Sequence, residues 1–371
     1  MGDRLRLADH ILAARGTGFD FGAFATRLGR VIEQAQRFEI GDDVAKACGQ
    51  LVFSRPSSLL AALPLCRLPY ETMWVECRGG LGQAENLRKD FDDAPVPWKQ
   101  GVLVEAFEGQ RGFMSFAWMH NHYADIDKVL DHPVNSTPIG IYFDWRADGD
   151  VRHVASTAHD MIEKGAPPDE AQWIGAFRRY VEQKWHALNS PERVAHFMTG
   201  FDPWSKFKKD DREIEALLAL DRHMLPGLAP HSLGIAARIL SAAKTQEDAR
   251  HFCMKWEADM QGEGTWVQCL LAMLNSKNPV VEHAQVDLTK LNKARRKSGK
   301  APFLGYAKTR LKMSRVQANI ARANGIDRET ARQHLVRGHF KIRATGVFWW
   351  SPFLRGDARK GEVKRQEYQA V

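Results

Sequence analysis

Potential cations recur at every second position in a short segment near the C-terminus, at Arg337, His339, Lys341 and Arg343. Side chains alternate between the two faces of a β-strand, so this spacing predicts a strand with one cationic face and with apolar residues such as Phe340 on the other face. Like charges this close together repel, and such a strand is stable only if water, carboxylates or phosphates lie opposite it. The segment therefore predicts a surface that binds anions.

A short turn at residues 344–346 leads to a second predicted strand that contains Trp349 and Trp350, and Arg355 follows soon after it. Adjacent strand residues point to opposite faces, so we expect one tryptophan in the core of a small sheet and one on the cationic side. Cations beside an exposed aromatic ring hold single-stranded nucleic acid through phosphate pairing and base stacking. The predicted nucleic-acid-binding residues of this hairpin are Arg337, Lys341, Arg343, Trp349, Trp350 and Arg355. In the alternative, both tryptophans are core residues and the cationic face pairs with carboxylates of the same protein.

The imidazole of His339 is the candidate catalytic group on this face. Cleavage of RNA without a metal needs one group that accepts the 2′-OH proton and another that donates a proton to the leaving oxygen. Cations nearby stabilise the charge of the phosphorane, and Arg337, Lys341 and Arg355 are of the right type for that role. The same residue types also fit a protein that only binds, so the sequence leaves catalysis open.

A second basic cluster lies upstream, between Leu291 and Lys300. It ends at a predicted turn that Gly299 and Pro302 form. Residues 290–371 carry 21 Lys and Arg against 5 Asp and Glu, whereas the rest of the chain carries 32 against 40. The overall net charge of +8 thus combines an acidic body with a strongly basic C-terminal segment, and charge of one sign in one segment indicates a polyanionic partner. The alternative for this cluster is a solvated linker. Its predicted nucleic-acid-binding residues are Arg295, Arg296, Lys297 and Lys300.

Residues 315–333 have the pattern of a helix-turn-helix. Asn324 and Gly325 form the predicted turn, Ile326 follows it, and the second predicted helix carries Arg332 and Gln333. Such a second helix can enter the major groove of DNA. Two short helices joined by Asn-Gly also occur in proteins that never bind DNA, so both interpretations stand.

The spacing of apolar residues predicts the elements that position these groups. Helical spacing occurs near both ends of the acidic body, and short runs rich in β-branched and aromatic residues lie between them. We predict an α+β fold with a central antiparallel sheet, a helical subdomain and a small basic C-terminal β module. The predicted strands are at 73–77, 102–107, 112–120 and 139–145. The predicted segments are a helical lead-in at 1–65, an antiparallel β region at 66–155, a helical subdomain at 156–285 and the basic module at 286–371.

The C-terminal motifs resemble a recurrent group of uncharacterised proteins encoded by tailed phages and prophages. The resemblance lies in Leu274 to Asn278, Leu291 to Pro302, Val336 to Lys341, Phe348 to Pro352, Arg355-Gly356 and Tyr368. The stretch from Pro69 to Glu76, with its aromatic-flanked Trp74, is similar to that group as well. The resemblance covers mainly the last hundred residues and brings no established activity with it.

Other kinds of chemistry have little support. No P-loop, GxGxxG, GxSxG or HExxH motif occurs, and we expect no cofactor. His120 and His122, with Asp125 and Asp127 after them, have the residue types of metal ligands, but histidines at a strand end are common and we expect no metal site. The five cysteines fall at irregular spacings without a CxxC pair, which indicates reduced, mostly buried thiols.

One carboxylate pair remains a candidate, because Glu76 and Glu105 each lie in an apolar predicted strand.

Two classes of function follow from these patterns. The first is a phage- or prophage-associated protein that binds RNA or DNA through its basic C-terminal module, with or without metal-independent nuclease activity. The second is a structural or interaction protein, such as a virion or assembly component or one that captures a host factor, whose basic tail meets an acidic protein surface. The N-terminal residues include no apolar run of the length that a signal peptide or membrane span requires, so we expect the protein in the cytoplasm of a bacterial host, without a membrane partner.

Overall fold

A computed structural model shows a large mixed β-sheet with helices on both faces and a small C-terminal pair of strands, which confirms the predicted α+β class. The structure describes residues 6–15, 20–54, 56–78, 99–119, 134–136, 139–165, 211–228, 262–277, 281–300, 302–311, 332–336, 339–343, 345–350, 353–355 and 357–362.

The large sheet has nine strands within these ranges, in the spatial order β7-β6-β4-β3-β2-β1-β9-β8, with β5 beside β4. Their bounds are β1 Gln36–Ile40, β2 Thr72–Arg78, β3 Lys99–Glu108, β4 Arg111–Met119, β5 Val134–Ser136, β6 Ile139–Asp144, β7 Met224–Leu228, β8 Val281–Gln285 and β9 Ala307–Leu311.

The four strands predicted from the sequence are confirmed as β2, β3, β4 and β6, which form an antiparallel run. The sheet is mixed because β1 lies parallel to both β2 and β9. The chain passes from β1 to β2 through two helices, α3 at Asp42–Ser54 and α4 at Pro56–Ala62. Parallel neighbours require such a crossover, whereas antiparallel neighbours need only a short turn.

Strand β1 lies inside the segment that the sequence predicts as a helical lead-in. Phe38 and Ile40 enter the core from one face of β1, and Arg37 and Glu39 alternate with them on the other face. Five residues give too short a pattern of alternation to stand out between long helical segments. The helices of the segment are present, since α1 at Leu7–Ala13 and α2 at Asp20–Gln34 precede β1.

Helices cover both faces of the sheet. On one face, α3, α4 and α7, which spans 262–274, pack against β1 to β4 and β6. On the other face, α1 and α2 cover Trp74 and Leu103, and α5 at Val151–Gly165 covers Phe113 and Tyr142. A further helix, α6 at Asp211–Asp221, packs against α4. No helix in the described ranges combines the length and the apolar character that crossing a bilayer demands.

The sheet draws strands from all four segments predicted from the sequence. β7 and β8 come from the predicted helical subdomain, and β9 comes from the predicted basic module. Pro226 and Gly227 obscure the strand signal of β7. Both are tolerated because β7 lies at an edge of the sheet that the described strands form, and Gly227 leaves the space that the ring of Tyr142 occupies.

The C-terminal strands form two smaller sheets. Strand β10 at Arg332–Val336 lies between β13 at Phe353–Arg355 and β14 at Asp357–Glu362. Strands β11 at His339–Arg343 and β12 at Gly346–Trp350 form an antiparallel hairpin. The predicted helix-turn-helix at 315–333 lies outside the described residues except for Arg332 and Gln333, which belong to β10.

Candidate functional site

The hairpin β11–β12 has two chemically different faces. Its register pairs His339 with Trp350, Lys341 with Phe348 and Arg343 with Gly346. Directly opposed residues share a face, so these six residues form what we name the outer face of the hairpin. Phe340 lies opposite Trp349 on the inner face.

The inner face belongs to the core of the large sheet. Trp349 is 1% exposed and Phe340 is 4% exposed, and both lie in the core cluster that α3, α4 and α7 form with the sheet. Their rings meet edge to face, with centroids 5.0 Å apart. Such a pair adds to the hydrophobic stabilisation that burial of the two rings provides. The hairpin is therefore anchored in the body of the protein.

The outer face brings together side chains that the alternation along the strand predicts on one side. The ammonium nitrogen of Lys341 lies 4.3 Å from the centroid of the Trp350 ring, which is a cation–π contact. The imidazole of His339 lies against the same indole, with centroids 6.0 Å apart, and Arg343 is exposed. The partly exposed Trp350 thus lies beside the cations while Trp349 is buried, as the alternation of adjacent residues predicted.

The turn of the hairpin is fixed by Lys277, which follows α7. The Lys277 ammonium donates to the carbonyl oxygen of Thr345, and its backbone N–H donates to the carbonyl of Val347 at 3.5 Å. Gly346 has φ +133°, and a Cβ there would meet the aliphatic part of the Lys277 side chain. Lys277 belongs to the Leu274 to Asn278 stretch of the phage resemblance, and the residues that it contacts lie between two other stretches of that resemblance, Val336 to Lys341 and Phe348 to Pro352.

The other residues predicted for this surface lie outside the hairpin strands. Arg355 lies in β13 opposite His334, and Arg337 lies outside the described residues, between β10 and β11. His120, His122, Asp125 and Asp127 also lie outside them. Within the described ranges, no group of three or more His, Cys, Asp or Glu side chains is placed to hold a metal ion.

The upstream basic cluster forms a helix, α8 at Thr289–Lys297, followed by an ordered turn. Arg296, Lys297 and Lys300 are exposed. Arg295 differs, because its guanidinium packs over the ring of Phe303, with the central carbon 3.8 Å from the ring centroid. Three of the four predicted binding residues of this cluster therefore face solvent, and the fourth contacts the protein.

The predicted pairing of Glu76 with Glu105 does not occur. Glu105 lies opposite Thr72 and Glu76 lies opposite Gly101, so about 13 Å of strand separates the two glutamates. The register neighbour of Glu76 is Glu39, in the parallel strand β1. This pair was not predicted, because β1 itself was not predicted.

Glu76 is buried beneath α1. Its carboxylate accepts hydrogen bonds from the Ala8 backbone N–H at 3.0 Å and from the Trp74 indole N–H at 2.7 Å. Burial raises the pKa of Glu76 to about 6, opposed by these hydrogen bonds and by the positive charge of Arg6. Because Glu76 connects α1 to the sheet, we assign it a structural role.

Four of the five cysteines are described; all four are buried, and none of them forms a disulfide bond. Burial raises the pKa of the Cys66, Cys77 and Cys269 thiols well above the ordinary range. A buried protonated thiol is a poor nucleophile and a poor metal ligand. These three cysteines are therefore core residues, as the sequence indicated.

Comparison of the chain with protein-family models, with curated proteins and with solved structures gave no match.

The two hairpin tryptophans give the first prediction. Trp349→Ala should lower the free energy of unfolding by about 3–5 kcal/mol, since it removes a buried ring from the core. Trp350→Ala should lower it by only about 1 kcal/mol, the value of its cation–π contact. Denaturant unfolding followed by circular dichroism measures both values. Equal losses for the two variants would contradict the two-faced hairpin.

Glu76 gives a prediction about pH. Its pKa is raised from the ordinary 4.5 to about 6, so its contribution to stability is present below about pH 4.5 and is lost as the pH rises through 6. Glu76→Gln removes this titration and keeps a side-chain oxygen for the Ala8 and Trp74 donors. The variant should gain stability relative to the native protein across this window, by roughly 2 kcal/mol in total.

Unfolding curves at several pH values between 4 and 8 measure this difference. The matched control is Glu105→Gln on the neighbouring strand, where the side chain is partly exposed. A stability difference between Glu76→Gln and the native protein that stays constant with pH would rule out a raised Glu76 pKa.

Proposed function

We propose that the protein binds nucleic acid through the outer face of the hairpin β11–β12. The observation that carries this proposal is the contact of the Lys341 ammonium with the Trp350 ring, on a face that also presents His339 and Arg343. Cations pair with phosphates, and an indole beside them provides a surface on which a base can stack. The presence of both groups on one face favours a single-stranded partner, whose bases are free to stack.

The anchoring of the hairpin supports this proposal. Binding costs less when the contacting groups are already held in place, because fewer side chains and backbone segments must be ordered. Phe340 and Trp349 hold the inner face in the core, and Lys277 holds the turn. Lys341 and Trp350 are thereby presented on a fixed backbone.

In the alternative, the cationic face pairs with carboxylates of the same protein. Lys341 and Arg343 give this alternative no support. None of the ion pairs between described residues involves Lys341 or Arg343. The two cations share a face only two residues apart, and like charges so placed repel. An external polyanion would relieve that repulsion.

Metal-independent RNA cleavage is the second candidate function, and the position of His339 favours it. The imidazole shares the outer face with Lys341 and Arg343, so a phosphate bound there would lie beside a group able to transfer a proton. Cations next to that phosphate would stabilise the charge that develops on it.

The setting that we propose is the cytoplasm of a bacterial host, where the protein would act for a phage or prophage. The support for it is the resemblance of the C-terminal residues, one of which, Lys277, holds the turn of the hairpin.

The hairpin proposal predicts a change in both affinity and salt dependence. The variant Lys341→Gln with Arg343→Gln should bind labelled single-stranded RNA or DNA at least about a hundredfold more weakly, since each of the two charged contacts contributes about 1.5–3 kcal/mol. Its slope of log affinity against log salt should become shallower by about 1.4, because two phosphates are no longer neutralised. Trp350→Ala should weaken binding by about 1–3 kcal/mol and leave the slope unchanged.

The matched control for this experiment is Lys164→Gln with Arg212→Gln, which removes two exposed cations from α5 and α6. Native-like affinity in a folded hairpin variant would end the proposal. Capture of an acidic protein that excess unrelated RNA does not displace would replace nucleic acid with the alternative class of partner.

The nuclease candidate is tested by resolving the labelled RNA from the binding experiment on a denaturing gel. RNA that is shortened by the native protein in the presence of a chelator, and that stays intact with His339→Ala, would support cleavage. We expect His339→Ala to retain most of the affinity, because Lys341, Arg343 and Trp350 remain. Intact RNA after prolonged incubation with the native protein would eliminate this candidate.

A further inference from the structure

The connection between β8 and β9 is an arm that projects from one end of the sheet, and we define it as residues 286–306. It begins and ends at a hydrogen bond from the Val286 N–H to the Tyr306 carbonyl, 3.0 Å long. Helix α8 lies within the arm and buries none of its residues. A nine-residue helix has marginal stability in isolation, so other contacts must hold it.

The second half of the arm packs back on α8. The side-chain amide of Asn292 donates to the Phe303 carbonyl at 3.0 Å, and its oxygen accepts from the Phe303 N–H at 2.7 Å. The guanidinium of Arg295 covers the Phe303 ring. One face of the helix is thus fixed to the returning chain through Asn292 and Arg295.

The end of α8 is fixed as well. Gly299 has φ +69°, a left-handed conformation that favours glycine. Its N–H donates to the Arg296 carbonyl at 3.1 Å, and the N–H of Lys300 donates to the Arg295 carbonyl at 2.9 Å. This pair of bonds is a Schellman motif, which ends the helix at a defined residue.

Two arginines from the body of the protein hold the base of the arm. Arg6 donates to the Leu304 carbonyl at 2.8 Å, and its guanidinium lies 4.0 Å from the centroid of the Tyr306 ring. Arg37 of β1 donates to the Gly305 carbonyl at 2.7 Å. The arm is therefore connected to the sheet by directional contacts as well as by its two strands.

The face of α8 that points away from these contacts is cationic. Lys290, Lys293 and Lys297 are three and four residues apart, so they lie along one side of the helix, and all three are exposed. Like charges at this spacing destabilise a helix, and Lys290 lies in the first turn, where the helix dipole also disfavours a positive charge. None of the ion pairs between described residues involves these lysines.

We propose that Lys290, Lys293 and Lys297 form a second nucleic-acid contact that follows consecutive phosphates of one strand. The three lysines span about 10 Å along the helix axis, so they present a row of charges that can contact neighbouring phosphates of one strand. Lysine is a point charge on a flexible stem, which suits contact with the phosphate backbone better than the reading of base edges. This inference rests on the proposed function, because it assigns the arm to the same nucleic-acid partner as the hairpin.

The structure of the arm assigns a different role to Arg295, which the sequence predicted as a nucleic-acid-binding residue. Arg295 is a positioning residue, because its guanidinium holds Phe303. Lys290 and Lys293, which the sequence did not single out, take its place in the contact with phosphate.

The test removes the three charges from the full-length protein by Lys290→Gln, Lys293→Gln and Lys297→Gln together. The slope of log affinity against log salt for single-stranded RNA should become shallower by about 2, since each phosphate contact with a single strand contributes about 0.7. The matched control is Lys164→Gln, Arg212→Gln and Arg222→Gln, which removes the same charge from exposed positions on α5, on α6 and just after α6. The control should keep the native slope.

A positioning variant separates charge from geometry. Asn292→Ala removes both hydrogen bonds to Phe303 and leaves every cation in place. It should weaken RNA binding several-fold with an unchanged salt slope. An affinity equal to that of the native protein would contradict the idea that the arm must be held in place.

The outcomes separate the two proposals. If the triple lysine variant is folded and keeps the native slope while the hairpin variant loses affinity, the arm inference is wrong and the hairpin proposal stands. If the hairpin variant keeps its affinity while the triple lysine variant loses it, the hairpin proposal is wrong and the arm is the contact. If the native protein does not bind RNA or DNA at low salt, both proposals fail.

Discussion

The structure of the C-terminal hairpin depends on the burial of its inner face in the core of the large sheet. Phe340 and Trp349 contribute to the same hydrophobic core as the helices α3, α4 and α7. Because side chains alternate along a strand, this burial places His339, Lys341, Arg343 and Trp350 together on the outer face. The cationic surface is thus a consequence of hydrophobic anchoring, and it cannot be shifted by one residue without exposing the core.

Other parts of the basic segment are also attached to the body of the protein. Strand β9 belongs to the large sheet, and the arm before it is held by Arg6 and Arg37 from the N-terminal part of the chain. The positive charge of the last 82 residues is therefore carried in part by ordered elements attached to an acidic body. A polyanion that contacts both the hairpin and the arm would gain affinity from the second contact, because the first contact raises its effective concentration.

Much of the fold was predictable from local patterns. The strands β2, β3, β4 and β6 are rich in β-branched and aromatic residues, and the alternation of the hairpin residues gave the correct face for each tryptophan. β1 and β7 were missed for physical reasons. β1 is only five residues long between helices, and β7 contains Pro226 and Gly227, which only its edge position tolerates.

Pairing between strands distant in sequence also hid the approach of Glu39 to Glu76, because register depends on the whole sheet. In the arm, the basic cluster was visible in the sequence. Which of its cations contact the returning chain, as Arg295 contacts Phe303, and which face solvent, as Lys293 does, depends on the bounds of the helix.

Competition for a labelled single-stranded RNA bound to the native protein tests nucleic-acid binding most sharply. We expect unlabelled RNA or DNA of unrelated sequence to displace the probe, and polyglutamate at the same concentration of negative charge to displace it far less. Polyglutamate supplies charge without phosphates or bases, so it cannot stack on Trp350. Equal displacement by polyglutamate and by nucleic acid would show that the basic surface recognises charge alone and would contradict the central claim.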